Sequence, residues 1–434
     1  MREAHPLVKR YVEEVCGQIK AKEARADIRE EIASHLEDLI ESRRAEGAED
    51  DAAALWAIGR MGDASSVAEG LNRVHKPRTP WAMLGALAML AAIALLAMYA
   101  VELSYAAGRQ RLSGVFERHT AYMGAGFLVL WSLSRLPYTI LLRLSRLSYG
   151  ATVALLMSVL LWGERINGAA GYIFLGPIRI DVVEASLYLF LVSSAGALYR
   201  RRDTWGAVAL HLVAYSVVPL ALYALLPSYS SAVLYAAANI LFLSLSRCGW
   251  RWIVPHAASV AAAGVLYLLM SRHGLDRLRA FLHRYSVPDD AGYMYIQIDR
   301  AIRSAGWRGH GFGSVNTNLP YIHSDTIFTY LVYSLGWFVG VFVFVSAVLF
   351  VSQLVKAAGS VREPYGKMLI NGIVSLFAVQ FAWSFGMSLG LLPIVAMTVP
   401  FLGYGGGGLL AQLAAIGLVY GVYRRKDLIR PMRR

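Results

Sequence analysis

Two hydrophobic patterns divide this chain. Over residues 5–75 apolar residues return every three or four positions among charges: Leu7, Val8, Tyr11, Val12, Val15 and Ile19, then Ile28, Ile32, Leu36, Leu39 and Ile40, then Leu55, Ile58 and Met61. That spacing predicts amphipathic helices packed on one face. Pro6 suits a first helical turn, Glu46-Gly47 ends the second stripe, and Ser66-Val67-Ala68-Glu69 has the form of a capping box for a short fourth helix. A small helical domain over 1–76 follows. It carries no catalytic cluster, and His35 beside Glu37 and Asp38 reads as a solvated helix face.

Beyond the basic linker His75-Lys76-Pro77-Arg78 the pattern turns to long apolar runs. Ten of them approach the ~20 residues that cross a bilayer. They lie near 81–103, 118–135, 147–163, 181–199, 204–226, 228–246, 250–271, 324–353, 366–390 and 400–423. The predicted fold is all-α: a polytopic membrane protein with about ten transmembrane helices plus the small N-terminal helical domain. A long segment, 272–323, separates the seventh and eighth runs and carries an amphipathic stretch, Leu275–Tyr285.

Charge assigns the sides. Residues 1–76 have a net charge of −4 and the rest +17. Arg135, Arg143 and Arg146, Arg200 to Arg202, Arg247 and Arg251, and Lys356, Arg362 and Lys367 fall in loops on one face, with the basic tail 426–434. Positive loops mark the cytoplasmic side, so both termini are expected there, and 272–323 on the outside. Arg109, Arg111 and Arg118 fall on the outer face against this trend. Basic loops beside lipid explain the charge without nucleic acid, for which no basic face on a soluble domain is present. Cys16 and Cys248 are too few for a disulfide framework or a thiolate metal site. A polar start predicts no cleavable signal peptide, so insertion relies on internal segments.

Carboxylates are scarce beyond the first domain: of 29 Asp and Glu, 16 lie in 1–76 and 13 in the remaining 358 residues. Asp325, in His323-Ser324-Asp325, sits where the long loop meets the eighth run, and an acid at such a border is a functional candidate. Glu184, one turn past Asp181, either lines a cavity or pairs with Arg179 or Arg165. The glycines of 306–313 either bring backbone close to a phosphate or serve tight turns. Pro393, Pro400 and Gly403 to Gly408 mark either a re-entrant break or a loop between the last two spans.

From residue 80 to 425 the chain resembles the SEDS family (shape, elongation, division and sporulation; the FtsW/RodA/SpoVE group). Gln297, Ala301, Ile302, Ser304 and Gly306 match one family stretch; Gly309, Gly311 and Gly313 match the next. Pro320, His323, Asp325, Ile327 and Phe328 match its Pro-Glu-x-His-Thr-Asp-Phe-Ile-Phe. Asn167, Gly168, Gly176 and Glu184 match an earlier one. Gln380, Gly386-Met387, Gly390 to Pro393, Pro400-Phe401 and Tyr404 to Gly406 match the last. The stretch from Asp27 to His75 resembles the permease-prefix-like domain found ahead of many membrane proteins of spore-forming Gram-positive bacteria, which implies docking or regulation.

The resemblance implies peptidoglycan glycan polymerisation from undecaprenyl-pyrophosphate-linked lipid II, alongside a separate penicillin-binding transpeptidase. It implies Asp325 as general base, taking the proton of the acceptor hydroxyl. Gln297, Ser304, His323, Glu184 and Tyr404 become candidate substrate contacts. Arg300, Arg303 and Arg308 are candidates for the pyrophosphate, which suits guanidinium forks. No metal-ligand spacing is present and no cofactor is evident, so any divalent cation would arrive with the pyrophosphate. The chain departs from the family at Asn316 to Leu319, Tyr321, Gly171-Tyr172, Asp181 to Val183, Ser384, Ser388 and Gly403 to Gly408. Those losses keep two alternatives in view: a lipid-linked precursor transporter (flippase), and a divergent non-catalytic regulator or scaffold.

Overall fold

The computed structural model describes residues 5–20, 25–74, 78–108, 113–166, 169–175, 178–201, 203–270, 272–286 and 292–426. Asn167, Gly168 and Gly176, the loop cations Arg109, Arg111 and Arg202, and the tail beyond 426 lie outside them. The chain divides into two compact units: Met1–Thr79 with Ser360–Glu363 and Tyr423–Arg434, and Pro80–Gly359 with Pro364–Val422.

In the first unit the apolar stripes become four helices: α1 Pro6–Gln18, α2 Arg25–Ala45, α3 Asp50–Met61 and α4 Ala64–Val74. Their inward faces meet in one core of Val8, Val12, Val15, Ile28, Leu36 and Ala57. The start of α4 differs from the capping-box expectation. Asp63, not Ser66, caps it: its Oδ2 accepts from the backbone N–H of Ser65 and Ser66 at 3.0 and 3.3 Å.

In the second unit each of the ten apolar runs becomes helical. They are α5 Trp81–Ala107, α6 Val115–Arg135, α7 Thr139–Trp162, α8 Val182–Tyr199, α9 Trp205–Leu212 continuing into α10 Val218–Leu225, α11 Tyr229–Leu245 and α12 Trp250–Met270. After the large loop, with α13 Arg272–Leu282 and α14 Tyr293–Ser304, come α15 Ile327–Leu335, α16 Trp337–Ser360, α17 Pro364–Ser388 and α18 Gly406–Arg424. Seven of these spans are long and apolar enough to cross a membrane. Between α9 and α10 a π-helical turn, Val213–Val217, precedes Pro219. A proline donates no backbone bond, and the wider turn accommodates the gap.

Helices α8 and α17 form the centre, with 72% and 78% of their spanning windows buried, whereas α7 and α16 are only 22% and 33% buried and face outward. The Arg-rich loops gather at one end. Arg200 Nη1 donates to Ser145 Oγ at 2.8 Å, Arg201 Nη1 to Cys248 Sγ at 2.7 Å, and Asn371 Nδ2 to the carbonyl of Leu245 at 3.1 Å. These bonds hold the start of α7, the end of α8, the α11–α12 turn and the start of α17 together.

The all-α expectation omits one element. Strands β1 Glu164–Ile166, β2 Ala169–Leu175 and β3 Ile178–Asp181 form a small antiparallel sheet in the order β1-β2-β3, with Tyr172 opposite Asp181. Asp181 ends the sheet and caps α8, its Oδ1 accepting from the N–H of Glu184 at 3.0 Å. The eighth run also differs. It breaks at Gly336, and the spanning helix is α16, which starts at Trp337 and leaves Asp325 in the turn ahead of α15.

Candidate active site

The turn 320–326 is built by its own polar atoms. Thr326 Oγ1 donates to the carbonyl of Pro320 at 2.6 Å, and Ser324 N–H to that of Tyr321 at 2.9 Å. Tyr321 has φ +56°, left-handed backbone that a side chain rarely adopts. Two other elements clamp the turn. The Tyr105 hydroxyl of α5 and His323 Nδ1 share a hydrogen bond of 2.6 Å, and the N–H of Tyr404 donates to the carbonyl of His323 at 2.7 Å. The Tyr404 ring stands edge-on to the imidazole at 6.1 Å. Burial holds the His323 pKa below the usual imidazole range, favouring the neutral ring.

Among the described acids bordering the apolar helices, Asp325 differs from those held by hydrogen bonds and from the exposed Glu117. Glu102 accepts from Gly114 and Phe116 N–H at 2.9 and 2.8 Å, capping α6; Asp181 caps α8; Glu184 Oε1 accepts from Gln412 Nε2 at 3.1 Å. Among the described residues the Asp325 carboxylate has no hydrogen-bond or ion-pair partner. Burial alone pushes its pKa up to about 6. A desolvated, unpaired carboxylate is a stronger proton acceptor than an ordinary Asp and stays ionised at neutral pH.

The non-helical segment 389–405 links this turn to a second polar centre. Gln380 Nε2 and Ser384 Oγ of α17 donate to the carbonyl of Thr398 at 3.3 and 3.0 Å. Gln380 lies two helical turns, about 12 Å, before the end of α17. The segment therefore folds back between the helices, and the re-entrant reading holds over the plain loop. Its carbonyls find partners in side chains, as backbone at membrane depth requires. Phe401, at φ +66°, donates its N–H to Gln412 Oε1 at 2.8 Å, and the same Gln412 binds Glu184. Gly407 and Gly408 let α18 approach: a Cβ at either would collide with Asp181 or Glu184. Arg165 and Arg179, the proposed partners of Glu184, have side chains outside the described residues. The partner observed is Gln412.

The structure brings His323, Tyr404 and Asp325 together and joins Glu184 to them through Gln412 and 401–404. It does not bring the three arginines to Asp325. Arg300 and Arg308 are exposed, and Arg303 is paired with Asp299 at 2.9 Å. Gln297 is buried on the inner face of α14, and Ser304 Oγ donates to Ala301 within its own helix at 3.1 Å. The cation beside the re-entrant segment is Arg284, whose Nη2 donates to the carbonyl of Gly390 at 3.4 Å. The sequence reading missed Gln412, Arg284 and Tyr105. For Gln412 a signal existed: an amide inside an apolar helix needs a partner.

Of the glycines of 306–313, Gly309 and Gly313 sit in close packing, whereas Gly306 and Gly311 have open space and serve turns. Trp337 N–H donates to the Gly306 carbonyl at 3.0 Å and Gly311 N–H to that of Ser334 at 2.9 Å. A Cβ on Gly309 would meet Ser334, and one on Gly336 would meet Trp307. Backbone presses on backbone there, which supports the turn reading over the phosphate one.

Fold and site together define a polytopic membrane protein that gathers a carboxylate, an imidazole and two phenols at the end away from its Arg-rich loops. Residues 80–428 match the model of the FTSW_RODA_SPOVE family, described as cell cycle protein, and the chain belongs to that family. It is 27% identical over 329 residues, 73% of its length and 87% of the relative's, to peptidoglycan glycosyltransferase MrdB of Escherichia coli K12. With the probable peptidoglycan glycosyltransferase FtsW of Trichlorobacter lovleyi it shares 29% identity over 269 residues, 60% of this chain and 70% of that one. Its fold is similar to a chain in a peptidoglycan synthase complex described as coordinating polymerization and crosslinking: TM-score 0.67, 22% identity, 80% of this chain and 98% of that one. The crystal structure of the Thermus thermophilus rod shape determining protein RodA is similar at TM-score 0.60 and 22% identity, covering 80% and 97%.

Proposed function

We propose that this chain is a peptidoglycan glycosyltransferase that polymerises glycan from lipid II, with Asp325 as general base. The acceptor sugar's 4-hydroxyl attacks the anomeric carbon of the donor and passes its proton to Asp325. The new C–O bond forms as the bond to the diphosphate breaks, and undecaprenyl diphosphate leaves with the electron pair. The observation that carries the assignment is the unpaired, desolvated state of the Asp325 carboxylate. His323 is a positioning residue, fixing the turn through Tyr105 and Tyr404. Tyr404 and Gln297 are proposed substrate contacts, and Arg284, Arg300 and Arg308 remain the cations that could meet the diphosphate, with any divalent cation arriving on it.

Relatives named as glycosyltransferases favour this reading over a transporter or a non-catalytic scaffold. The synthase complex supports a separate crosslinking partner, which we propose is a penicillin-binding transpeptidase. The Arg-rich loops support cytoplasmic termini, and the resemblance of 27–75 to a permease-prefix-like domain supports a docking or regulatory role for 1–76. The decisive assay is polymerisation of lipid II by purified protein. Asp325→Asn is expected to abolish polymer, and a variant that polymerises like wild type would remove Asp325 from the mechanism.

A further inference from the structure

At the Arg-rich end of the bundle, away from Asp325, the α8–α9 and α11–α12 turns border a half-open cavity of about 360 Å³. Arg201, Arg247 and Arg251 line it together with Trp205, Trp250 and Trp252; Asp203 adds one carboxylate. Among the described residues the balance is three cations against one anion. Asp203 pairs with Arg201 at 3.6 Å, whereas Arg247 and Arg251 have no ion pair among the described residues. The arginines are arranged by the indoles: Arg201 lies over Trp252 at 5.3 Å, and Arg251 over Trp205 at 5.5 Å and Trp250 at 5.9 Å. Arg247 sits at φ +52° in the turn closing α11, where its N–H donates to Ser244 at 3.0 Å, and its side chain is exposed. The helices α9 and α12 both begin at this cavity, adding the positive ends of their dipoles.

Two features give the cavity a lipid side. Trp205 and Trp250 are 56% and 66% exposed, and indoles left bare at a span's end mark the polar–apolar border of a bilayer. Further along α9, the π-turn that continues it and α12, Leu210, Val213 and Val254 are 72%, 52% and 54% exposed, apolar surface suited to acyl chains. We propose that this cavity binds the phosphate of an anionic phospholipid headgroup, held by Arg247 and Arg251, with the acyl chains along Leu210, Val213 and Val254. Guanidinium forks match phosphate oxygens, and stacked indoles hold the forks in place at little entropic cost. The site is separate from the proposed catalytic turn and takes a resident lipid.

The test is native mass spectrometry of the purified full-length chain titrated with phosphatidylglycerol, phosphatidylcholine or inorganic phosphate. Wild type is expected to retain one phosphatidylglycerol at least about tenfold more tightly than phosphatidylcholine, the scale of one charge-assisted contact. The exposed pair Arg247→Gln with Arg251→Gln should remove that preference, while Arg143→Gln with Arg146→Gln, exposed on the same face, should keep it. Thermal midpoints in phosphatidylcholine monitor folding, and if the pair proves unstable the single Arg251→Gln should still weaken retention about threefold. Equal retention of the two lipids, or equal loss in both double variants, overturns the site. Displacement of phosphatidylglycerol by millimolar phosphate overturns the lipid assignment in favour of a free-anion site.

Discussion

The N–H of Tyr404 donates to the carbonyl of His323 at 2.7 Å, tying the re-entrant segment to the turn that carries Asp325. The imidazole of His323 is held in turn by the Tyr105 hydroxyl at 2.6 Å. Asp325 is thus placed by α5 and by 389–405, elements far from it in sequence, and not by the large loop alone.

That arrangement separates the two phenols. Tyr105→Phe keeps the ring and deletes only the bond to His323, so it should lower kcat by about three- to tenfold, the worth of one ordinary hydrogen bond, with KM little changed. Tyr404→Phe leaves the backbone bond intact, so any loss there should fall on KM through a substrate contact. Steady-state polymerisation kinetics distinguish the two. Equal kcat for Tyr105→Phe and wild type would strip Tyr105 of a positioning role.

The raised pKa of Asp325 fixes a pH dependence. As a base it must be ionised, so activity should rise through about pH 6 and level off above it. The stability effect has the opposite sense. With its folded pKa above the usual 3.8, the native state binds the proton more tightly, so Asp325 favours folding below about pH 4 and loses that contribution as pH rises to about 6. Asp325→Asn abolishes the dependence. At pH 7.5 it should be at least as thermally stable as wild type while activity falls by about 10²–10⁴. A variant clearly less stable than wild type at pH 7.5 would mean that the carboxylate is paired, not isolated.

What the sequence made legible follows from which features are local. Ten apolar runs announce ten helical spans because length and hydropathy are properties of the run itself. Asp325 stood out because an acid is rare beside such runs. The small sheet over 164–181 had its own signals, Asn167-Gly168 and Gly176-Pro177 between apolar stretches, which suit hairpin turns. Gln412 is visible as a lone amide in an apolar run, but the run does not name its partner, because Glu184 lies 228 residues away. The exposure of Arg300 on α14 and of Arg308 in the turn after it is likewise set by how the large loop packs on the helices, at long range in the sequence.

Gln412 bridges Glu184 and the N–H of Phe401. Gln412→Ala strands both, and leaving buried polar groups unpaired should cost about 1–3 kcal/mol or more. Glu184→Gln keeps a hydrogen-bonding partner for the amide and should cost less. A double-mutant cycle of Glu184→Ala with Gln412→Ala, followed by thermal unfolding in detergent, should show strong coupling. Additive effects would mean that the bond contributes nothing to holding 401–404.

The glycines of the large loop and of the α15–α16 junction yield the sharpest contrast. Gly309 and Gly336 combine positive φ, +72° and +84°, with backbone in the space a Cβ would take. Gly306 and Gly311 have positive φ, +58° and +112°, but open space around them. Alanine at Gly306 or Gly311 should therefore cost only the backbone strain, about 1–2 kcal/mol. At Gly309 or Gly336 it must also push apart the strand of loop that bonds Trp337 to Gly306, and the total should exceed about 3 kcal/mol. If these glycines instead cradled a phosphate, Gly311→Ala would raise KM for lipid II at unchanged stability. Thermal midpoints and KM measured on the same four variants decide between the two roles. Packing predicts a split in stability between the pairs, with KM following stability and nothing else.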